Sequence, residues 1–213
     1  MSQKNTLNRR QGKFIVLDGP DGCGKSTHCR LLAKWLNEQH TATEVFRDPG
    51  TTVIGEKIRH ILLNPEHIAM DTRTELLLYM AARSQLWREK ISPALENEKC
   101  VILDRWLSST CAYQGYAGGF GINNVIKIAE NSLERAWPDL TIILDVSLET
   151  AATRLKNQPD RMEQKGASYH QLVREGFLAL AKNRRDFGVV DASADVETVH
   201  KKIVQIMLQA GLV

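Results

Sequence analysis

A glycine-rich run near the start of the chain has the residue types and the spacing of a phosphate-binding loop. It fits the pattern G-x-x-x-x-G-K-[ST] and comprises Gly19, Pro20, Asp21, Gly22, Cys23, Gly24, Lys25 and Ser26, followed by Thr27. Such a loop directs backbone N–H groups and the positive end of a helix dipole at one point, where phosphate oxygens bind. In this pattern the lysine reaches the outer phosphates and the serine holds Mg²⁺. The run therefore predicts a site for a nucleoside triphosphate and magnesium.

Asp21 lies inside this loop, where a carboxylate directed at a triphosphate would repel it. We therefore expect its side chain to face a second ligand, for which a sugar hydroxyl is a natural partner. The alternative is a turn aspartate that bonds to its own backbone, since Asp is common in turns.

Charged residues directly follow the later apolar runs of the chain. Arg47 follows the second run, and Asp104 and Arg105 follow the third. Arginine suits phosphate oxygens because its planar guanidinium can bind two of them at once. Arg47 and Arg105 therefore predict a second anion site, and Asp104 is placed to help position Mg²⁺. The alternative for Arg105 is an ion pair with Asp104 that closes the sheet.

Tyr79 and Arg83 stand four residues apart in a leucine-rich helical segment and so share one helix face. The ring could stack on a nucleobase and the guanidinium could bond to a base carbonyl. A tyrosine in such a segment is, however, more often a core residue.

A charged stretch late in the chain has the position of a lid over the sheet. It contains Arg154, Lys156, Asp160, Arg161, Glu163 and Lys165. A lid can exclude water and supply positive charge to a transferring phosphoryl group. The alternative is a solvated surface loop, as most charge runs are.

Short apolar runs alternate with longer segments of helical periodicity along the whole chain. The runs cover residues 14–17, 44–46, 100–103, 141–144 and 187–190. The helical segments cover residues 25–39, 53–63, 72–87, 107–113, 123–135, 148–156, 169–182 and 196–208. This alternation predicts an α/β fold of three layers, α/β/α, with a five-stranded parallel sheet between helices. Ligands of such a sheet bind beyond the carboxyl ends of its strands.

Size and composition bound the remaining possibilities. A chain of 213 residues suits one domain, predicted here at residues 14–213 with a flexible arm at 1–13 and a lid at about 156–168. The net charge is only +3 and the basic residues are dispersed, so we expect no nucleic-acid partner. No apolar run approaches the roughly 20 residues of a membrane span. The four cysteines contain no C-x-x-C pair, and this spacing indicates a reducing, cytoplasmic compartment. The glycine-rich stretch 115–121 is expected to be mobile.

Several of these motifs together resemble the thymidylate kinases of bacteria. The matching segments, in chain order, are residues 19–27, 46–51, 79–83, 104–105, 112–114 and 160–163. The resemblance spans nearly the whole chain and implies a nucleoside monophosphate kinase fold of the P-loop NTPase class. It also implies transfer of the γ-phosphoryl group of ATP to dTMP, with Mg²⁺ as cofactor and usually a homodimer. Departures from the family pattern occur at Tyr79, Asp48 to Thr51, and Trp106.

The resemblance also assigns roles to single residues. It implies that Asp21 bonds to the 3′-hydroxyl of dTMP and that Arg47 and Arg105 bind its phosphate. It implies that Tyr79 and Arg83 bind the base and that Thr110 and Tyr113 line the nucleoside pocket. The family carries its catalytic arginine either in the phosphate-binding loop or in the lid, and this loop has none. Arg161 is therefore the expected catalytic arginine, with Arg154 and Lys156 as the next candidates, and the predicted catalytic set is Asp21, Lys25, Asp104, Arg105 and Arg161.

Two other functions stay open from the sequence. One is a kinase for a different nucleoside or monophosphate on the same scaffold. The other is a nucleotide-dependent switch that binds partners, although the chain has no Asn-Lys-x-Asp segment for reading guanine.

Overall fold

A parallel sheet of five strands lies at the centre of the protein. The computed structural model describes residues 12–155, 159–182 and 184–212. The strands are β1 (Phe14–Asp18), β2 (Thr43–Arg47), β3 (Cys100–Asp104), β4 (Leu140–Asp145) and β5 (Phe187–Asp191). They lie in the order β2-β3-β1-β4-β5, and every neighbouring pair is parallel. The predicted five-stranded parallel sheet is confirmed.

The helices connect these strands. The α-helices that the structure describes are α1 (Lys25–Glu38), α2 (Val53–Leu63), α3 (Thr72–Leu86), α4 (Ser92–Glu96), α5 (Leu107–Thr110), α6 (Ile122–Ser132), α7 (Leu148–Arg154), α8 (Ala167–Ala181) and α9 (Val196–Gln209). Asp71, Ser147 and Asp195 cap α3, α7 and α9 by accepting backbone N–H bonds in the first turns. Within the described ranges, no helix combines the length and the apolar character needed to cross a bilayer.

Two π-helical segments were not predicted. Trp87–Ile91 joins α3 to α4, and Cys111–Ala117 continues α5. The second begins at Cys111, near the end of the helix predicted at residues 107–113, and it includes Gly115 from the stretch expected to be mobile. A Cβ atom at Gly115 would lie 3.2 Å from Ile122 Cα, so this glycine permits close packing against α6. The first part of the glycine-rich stretch is therefore helical. Close packing against α6 accounts for the glycine at position 115.

The sheet is buried on both faces, which accounts for its continuous apolar strands. Phe14 and Val16 of β1 pack with residues of α3, α5 and α6 on one face. The intervening Ile15 and Leu17 pack with residues of α1 and α9 on the other. Adjacent side chains of a strand point to opposite faces, so one apolar run supplies both cores.

The carboxyl edge of the sheet collects the charged residues. Each observed strand ends one residue beyond its predicted apolar run, and that last residue is charged. In the register, Arg47 of β2 lies opposite Asp104 of β3, and Leu17 of β1 lies opposite the same aspartate. The chain places β2 and β3 on one side of β1 and then β4 and β5 on the other, so the direction in which strands are added reverses at β1. Ligands of α/β proteins bind in the crevice at such a point.

Candidate active site

The glycine-rich run forms a tight turn between β1 and α1. Gly19, Gly22 and Gly24 have φ of 138°, 78° and 95°, in the region that side chains disfavour. At Gly19 a Cβ atom would also lie 2.4 Å from the backbone oxygen of Leu144. The turn therefore requires glycine, and it brings the backbone to the N-terminus of α1, where anions bind.

Lys25 and Ser26, the first residues of α1, both face the carboxyl edge. The ammonium group of Lys25 donates to the backbone oxygens of Pro20 at 2.7 Å and Gly19 at 3.2 Å. The hydroxyl of Ser26 donates to Oδ2 of Asp104 at 2.5 Å. The loop thus holds a buried positive charge, and the two predicted magnesium ligands lie in direct contact.

Arg105 is bonded to the phosphate-binding loop. Its Nη2 forms an ion pair with Asp21, and its Nη1 donates to the backbone oxygen of Gly19 and to Ser109 Oγ, both at 2.9 Å. Tyr113 donates its phenolic hydroxyl to the other oxygen of Asp21 at 2.7 Å. Arg105 therefore pairs with Asp21 and not with Asp104, and Asp21 faces away from the loop backbone.

These contacts keep Asp21 ionised. Burial alone would raise the pKa of Asp21, but the charges of Arg105 and Lys25 and the hydrogen bond from Tyr113 hold it well below its usual range. Burial raises the pKa of Tyr113, and the neighbouring carboxylate raises it further. Burial would lower the pKa of Arg105, but the charge of Asp21 raises it well above its ordinary value. A fixed pair of opposite charges thus lies at the end of β3.

A small cavity opens beside this pair. The predicted base-binding and nucleoside-binding residues Tyr79, Arg83, Thr110 and Tyr113 all line it. Tyr79 is only partly buried, so it is a cavity residue and not a core residue.

Arg83 is fixed in the wall of this cavity by several acceptors. It forms an ion pair of 2.6 Å with Asp48 and donates to Thr110 Oγ1 at 3.0 Å and to the backbone oxygen of Trp106 at 3.2 Å. Burial raises the pKa of Asp48, and the charge of Arg83 only partly offsets this effect. The departure from the family pattern at Asp48 is therefore part of the site.

A larger cleft contains the phosphate-binding loop. Besides residues 21–28 it is lined by Arg47, Asp104, Arg105 and Arg154 and by residues after β5. The cleft and the small cavity share Asp21, Arg59, Arg105 and Asp160. The two spaces therefore meet at the carboxyl edge of the sheet, with guanidinium groups at their junction.

Arg59 of α2 is a site residue that the sequence reasoning missed. Its Nη1 donates to the backbone oxygen of Pro49 at 3.2 Å. Burial, and then the charges of Arg47 and Arg105, lower its pKa, so three guanidinium groups lie close to one another. Arg47 is half exposed and forms an ion pair with Glu56 at 2.9 Å. A cluster of three positive charges favours a multiply charged anion. The only sequence signal for Arg59 was its position three residues after Glu56, which places both on one helix face.

The lid residues separate into two groups. Arg161 is buried, donating to Glu75 at 2.5 Å and to the backbone oxygen of Leu62 at 2.6 Å, and it lines neither the cleft nor the small cavity. In this structure Arg161 bonds to Glu75 and to the end of α2, with no described hydrogen bond to the phosphate-binding loop, and its catalytic role stays a prediction. Arg154 does line the cleft and donates to Ala192 O at 3.1 Å. Lys156 lies outside the described residues.

Acidification is expected to destabilise the protein through His28, a buried residue of α1 beside the cleft. Its ring stacks on that of His200 with the centroids 6.4 Å apart. Burial, and then the charges of His200 and Arg154, lower the pKa of His28 to about 4. An unfolded chain takes up this proton near pH 6.5, so the contribution of His28 falls as the pH drops from about 6.5 to 4. We expect a loss of about 2 kcal/mol by pH 5.

Urea unfolding at pH 7 and at pH 5 measures this loss. The variant His28→Gln is expected to lose less stability on acidification than the wild type, because it has no imidazole to protonate. His60→Gln, at an exposed position of α2, is the matched control and keeps the wild-type dependence. Identical pH dependences for the wild type and His28→Gln would contradict the expectation.

Comparison with known proteins places the chain among well-described relatives. The sequence model of the family described as Thymidylate kinase matches residues 17–203. The thymidylate kinase of Symbiobacterium thermophilum is 44% identical over 196 residues, covering 91% of this chain and 92% of the relative. That of Thermoanaerobacter sp. is 41% identical over 199 residues, covering 92% and 98%. The crystal structure of thymidylate kinase from Ehrlichia chaffeensis superposes with a TM-score of 0.76 at 28% identity, covering 93% of this chain and 99% of that one.

Proposed function

Because the chain belongs to the thymidylate kinase family, its reaction is the phosphorylation of dTMP, and we propose that ATP donates the phosphoryl group with Mg²⁺ as cofactor. One observation carries the proposal for the site. The cleft with the phosphate-binding loop and the small cavity share Asp21, Arg59 and Arg105. Two nucleotides bound in these spaces would have their phosphates adjacent.

ATP is proposed to occupy the larger cleft. Its phosphates would lie against the backbone N–H groups of residues 19–27, with Lys25 on the outer phosphates. Residues after β5, including Ala194 and Val196, line the far end of the cleft and would contact the base. The fully formed turn and the buried lysine support this placement.

dTMP is proposed to occupy the small cavity. Tyr79, Arg83, Thr110 and Tyr113 would surround the nucleoside, and Asp21 would accept a hydrogen bond from the 3′-hydroxyl. Arg47, Arg59 and Arg105 would bind the phosphate group. Arg59 is our addition to the acceptor site, supported by its position in the wall of both spaces.

Ser26 and Asp104 are proposed to hold Mg²⁺. Their hydroxyl and carboxylate oxygens are the hard donors that this ion prefers, and they lie in contact at the edge of the cleft. Among the described residues no group of three or more His, Cys, Asp and Glu could hold a metal. Mg²⁺ is usually bound by one or two protein ligands together with substrate phosphates and water. When bound, the ion would neutralise charge on the β- and γ-phosphates.

The protein's own contribution to the reaction is proposed to be positioning and charge neutralisation. The phosphate of dTMP is already anionic, so no side chain has to remove a proton before it attacks the γ-phosphorus. Arg105, paired with Asp21, would hold the acceptor phosphate in line with the donor. Arg154 is the lid cation that lines the cleft, and we propose that it stabilises the charge that develops on the transferring group.

An acceptor panel tests this function. The purified protein, ATP and Mg²⁺ are incubated with dTMP, dUMP, dCMP or thymidine, while ADP release is followed and products are identified by mass. We expect dTMP to have the highest kcat/KM and thymidine to be inactive, since thymidine lacks the phosphate that the arginines would bind. A higher kcat/KM for another acceptor would assign the enzyme to a different kinase activity. Slow ATP turnover that no acceptor changes would favour a nucleotide-dependent switch.

We also propose a homodimer, formed through α2 and α3. Apolar side chains on and between these helices are exposed, namely Val53, Ile54, Ile61, Ile68 and Leu77. An exposed apolar patch of this kind is typical of a protein interface, and a second copy would bury it.

Replacing Leu77 by glutamate is expected to dissociate the dimer, because Leu77 is 58% exposed in the single chain and a carboxylate would be buried at the interface. Light scattering coupled to size exclusion should show about half the wild-type mass. Leu172→Glu, an exposed leucine of α8, is the matched control and should keep the wild-type mass. A monomeric wild type would contradict the proposal.

A cytoplasmic location is proposed from the cysteines. All four are free and buried, and burial raises the pKa of each thiol. Free thiols are typical of reducing compartments. Cell fractionation with detection of the protein would test this location.

A further inference from the structure

A buried carboxylate in the first turn of α3 has several partners from distant parts of the chain. Glu75 is 1% exposed. Gln114 donates to its Oε1 at 2.6 Å, and Arg161 donates to its Oε2 at 2.5 Å. Lys165 lies 3.4 Å from both oxygens. We call these four residues the Glu75 cluster.

The Glu75 cluster joins the elements that form the wall of the small cavity. Two tyrosines that line the cavity are neighbours of the cluster. Tyr79 lies one helical turn after Glu75, and Tyr113 directly precedes Gln114. Arg161 lies between Asp160 and Met162, which also line it. Glu75 is thus adjacent to the cavity without contacting it.

The turn of residues 160–165 depends on this cluster for its position. Asp160 accepts backbone bonds from Met162 and Glu163 and so closes the turn on itself. Among the described residues, Arg161 and Lys165 alone make the hydrogen bonds that join this turn to helices other than α8. Those bonds reach Glu75 and the backbone oxygens of Leu62 and Leu63 at the end of α2. Only the bonds to Glu75 involve two opposite charges.

Removing the charge of Glu75 would leave two cations in the same place. A buried charge without its partner is strongly unfavourable, whereas the complete group is tolerated. Arg161 and Lys165 would then move toward solvent, because Glu75 is the carboxylate that pairs with both and the described residues give neither a second one. The turn would lose its position over the cavity, and Asp160 and Met162 would leave the cavity wall.

We propose that Glu75 is a positioning residue that holds the turn of residues 160–165 over the acceptor cavity, with Arg161 as its main partner. The inference rests on the proposed function of that cavity. It assigns Arg161 to the lid's attachment instead of to the transferring phosphoryl group. If the turn is detached in most molecules, dTMP binds only to the fraction with the turn attached. The apparent Kd for dTMP is then the intrinsic Kd divided by that fraction. Saturating dTMP restores the attached form, so kcat is retained.

The test compares Glu75→Gln and Arg161→Met with the wild type in steady-state assays and in dTMP titrations by calorimetry. We expect the KM and the Kd for dTMP to rise about tenfold in each variant, with kcat within about threefold of the wild type. The double variant should be no worse than the more affected single variant, since both changes break one interaction. Arg161→Lys keeps the charge and should recover part of the affinity.

A matched control separates positioning from general destabilisation. Ile203→Ala removes buried side-chain volume from α9, remote from the cavity, and should lower Tm while leaving the KM for dTMP unchanged. An unchanged KM and Kd in both Glu75→Gln and Arg161→Met would overturn the inference. A large loss of kcat at unchanged KM in Arg161→Met would also overturn it and would return Arg161 to a catalytic role. A wild type that does not phosphorylate dTMP would instead refute the proposed function, so the two failures are distinguishable. If Glu75→Gln does not fold, Arg161→Met alone decides.

Discussion

Replacing Arg154 by alanine is expected to lower kcat about a thousandfold, the low end for an arginine that stabilises charge on a transferring phosphoryl group. Arg154 ends α7 and lines the cleft that contains the phosphate-binding loop. It is exposed, so its removal leaves no buried carboxylate without a partner and should change the free energy of unfolding little. The effect should therefore appear in kcat and not in stability. Single-turnover measurements with saturating ATP and dTMP are the appropriate assay.

Two variants control this prediction. Arg154→Lys keeps the positive charge but not the planar fork and should recover part of the lost rate. Arg161→Met should keep kcat near the wild-type value, as the attachment of Arg161 to Glu75 requires. A loss smaller than tenfold in Arg154→Ala would show that another cation performs this role, and the lid residue Lys156 would be the next candidate.

Replacing Arg105 by alanine is expected to raise the KM for dTMP by about thirtyfold or more. The loss of one charge-assisted hydrogen bond to the acceptor phosphate is worth roughly 2 kcal/mol, and about 1.4 kcal/mol corresponds to a tenfold change in affinity. The variant also leaves Asp21 without its ion-pair partner, so the carboxylate that should bind the 3′-hydroxyl loses its fixed orientation. Steady-state assays with dTMP varied at saturating ATP measure the change.

An arginine elsewhere on the carboxyl edge gives a matched control. Arg174 of α8 forms a two-bonded ion pair with Asp145 at the end of β4, at 2.7 and 2.8 Å, but lines neither the cleft nor the small cavity. Arg174→Ala removes a comparable ion pair and should leave the KM for dTMP unchanged. Equal KM values for Arg105→Ala and the wild type would refute the placement of Arg105 at the acceptor phosphate.

The sheet and its charged edge could be predicted from the sequence because the relevant signals are local. Apolar runs mark buried strands, and the residue that follows a run must lie at the strand end, whatever the strand order. Arg47, Asp104 and Arg105 were found in this way, and the phosphate-binding loop by its glycine spacing. The strand order leaves no comparable local signal. The π-helical segments, of 5 and 7 residues, are too short for their changed side-chain periodicity to be recognised in the sequence.

The long-range contacts of the predicted lid residues could not be foreseen from the sequence. Arg161 and Glu75 are 86 positions apart, and neither residue indicates the other in a single sequence. A charged residue in a polar stretch suggests a solvated side chain, whereas Arg161 is almost completely buried. Arg59 was missed for a related reason, because only the packing of α2 against α3 determines which way its guanidinium group points.

The closed interior of the phosphate-binding loop limits how this enzyme could be redesigned. Cys23 is 1% exposed, and a Cβ atom at Gly22 would lie 2.6 Å from Ala151 O. Neither position has space for a guanidinium group, so a single substitution at Gly22 or Cys23 would not transfer the role proposed for Arg154 into the loop. Laboratory evolution toward an arginine at position 22 would first have to repack α7, because Ala151 of α7 lies against Gly22.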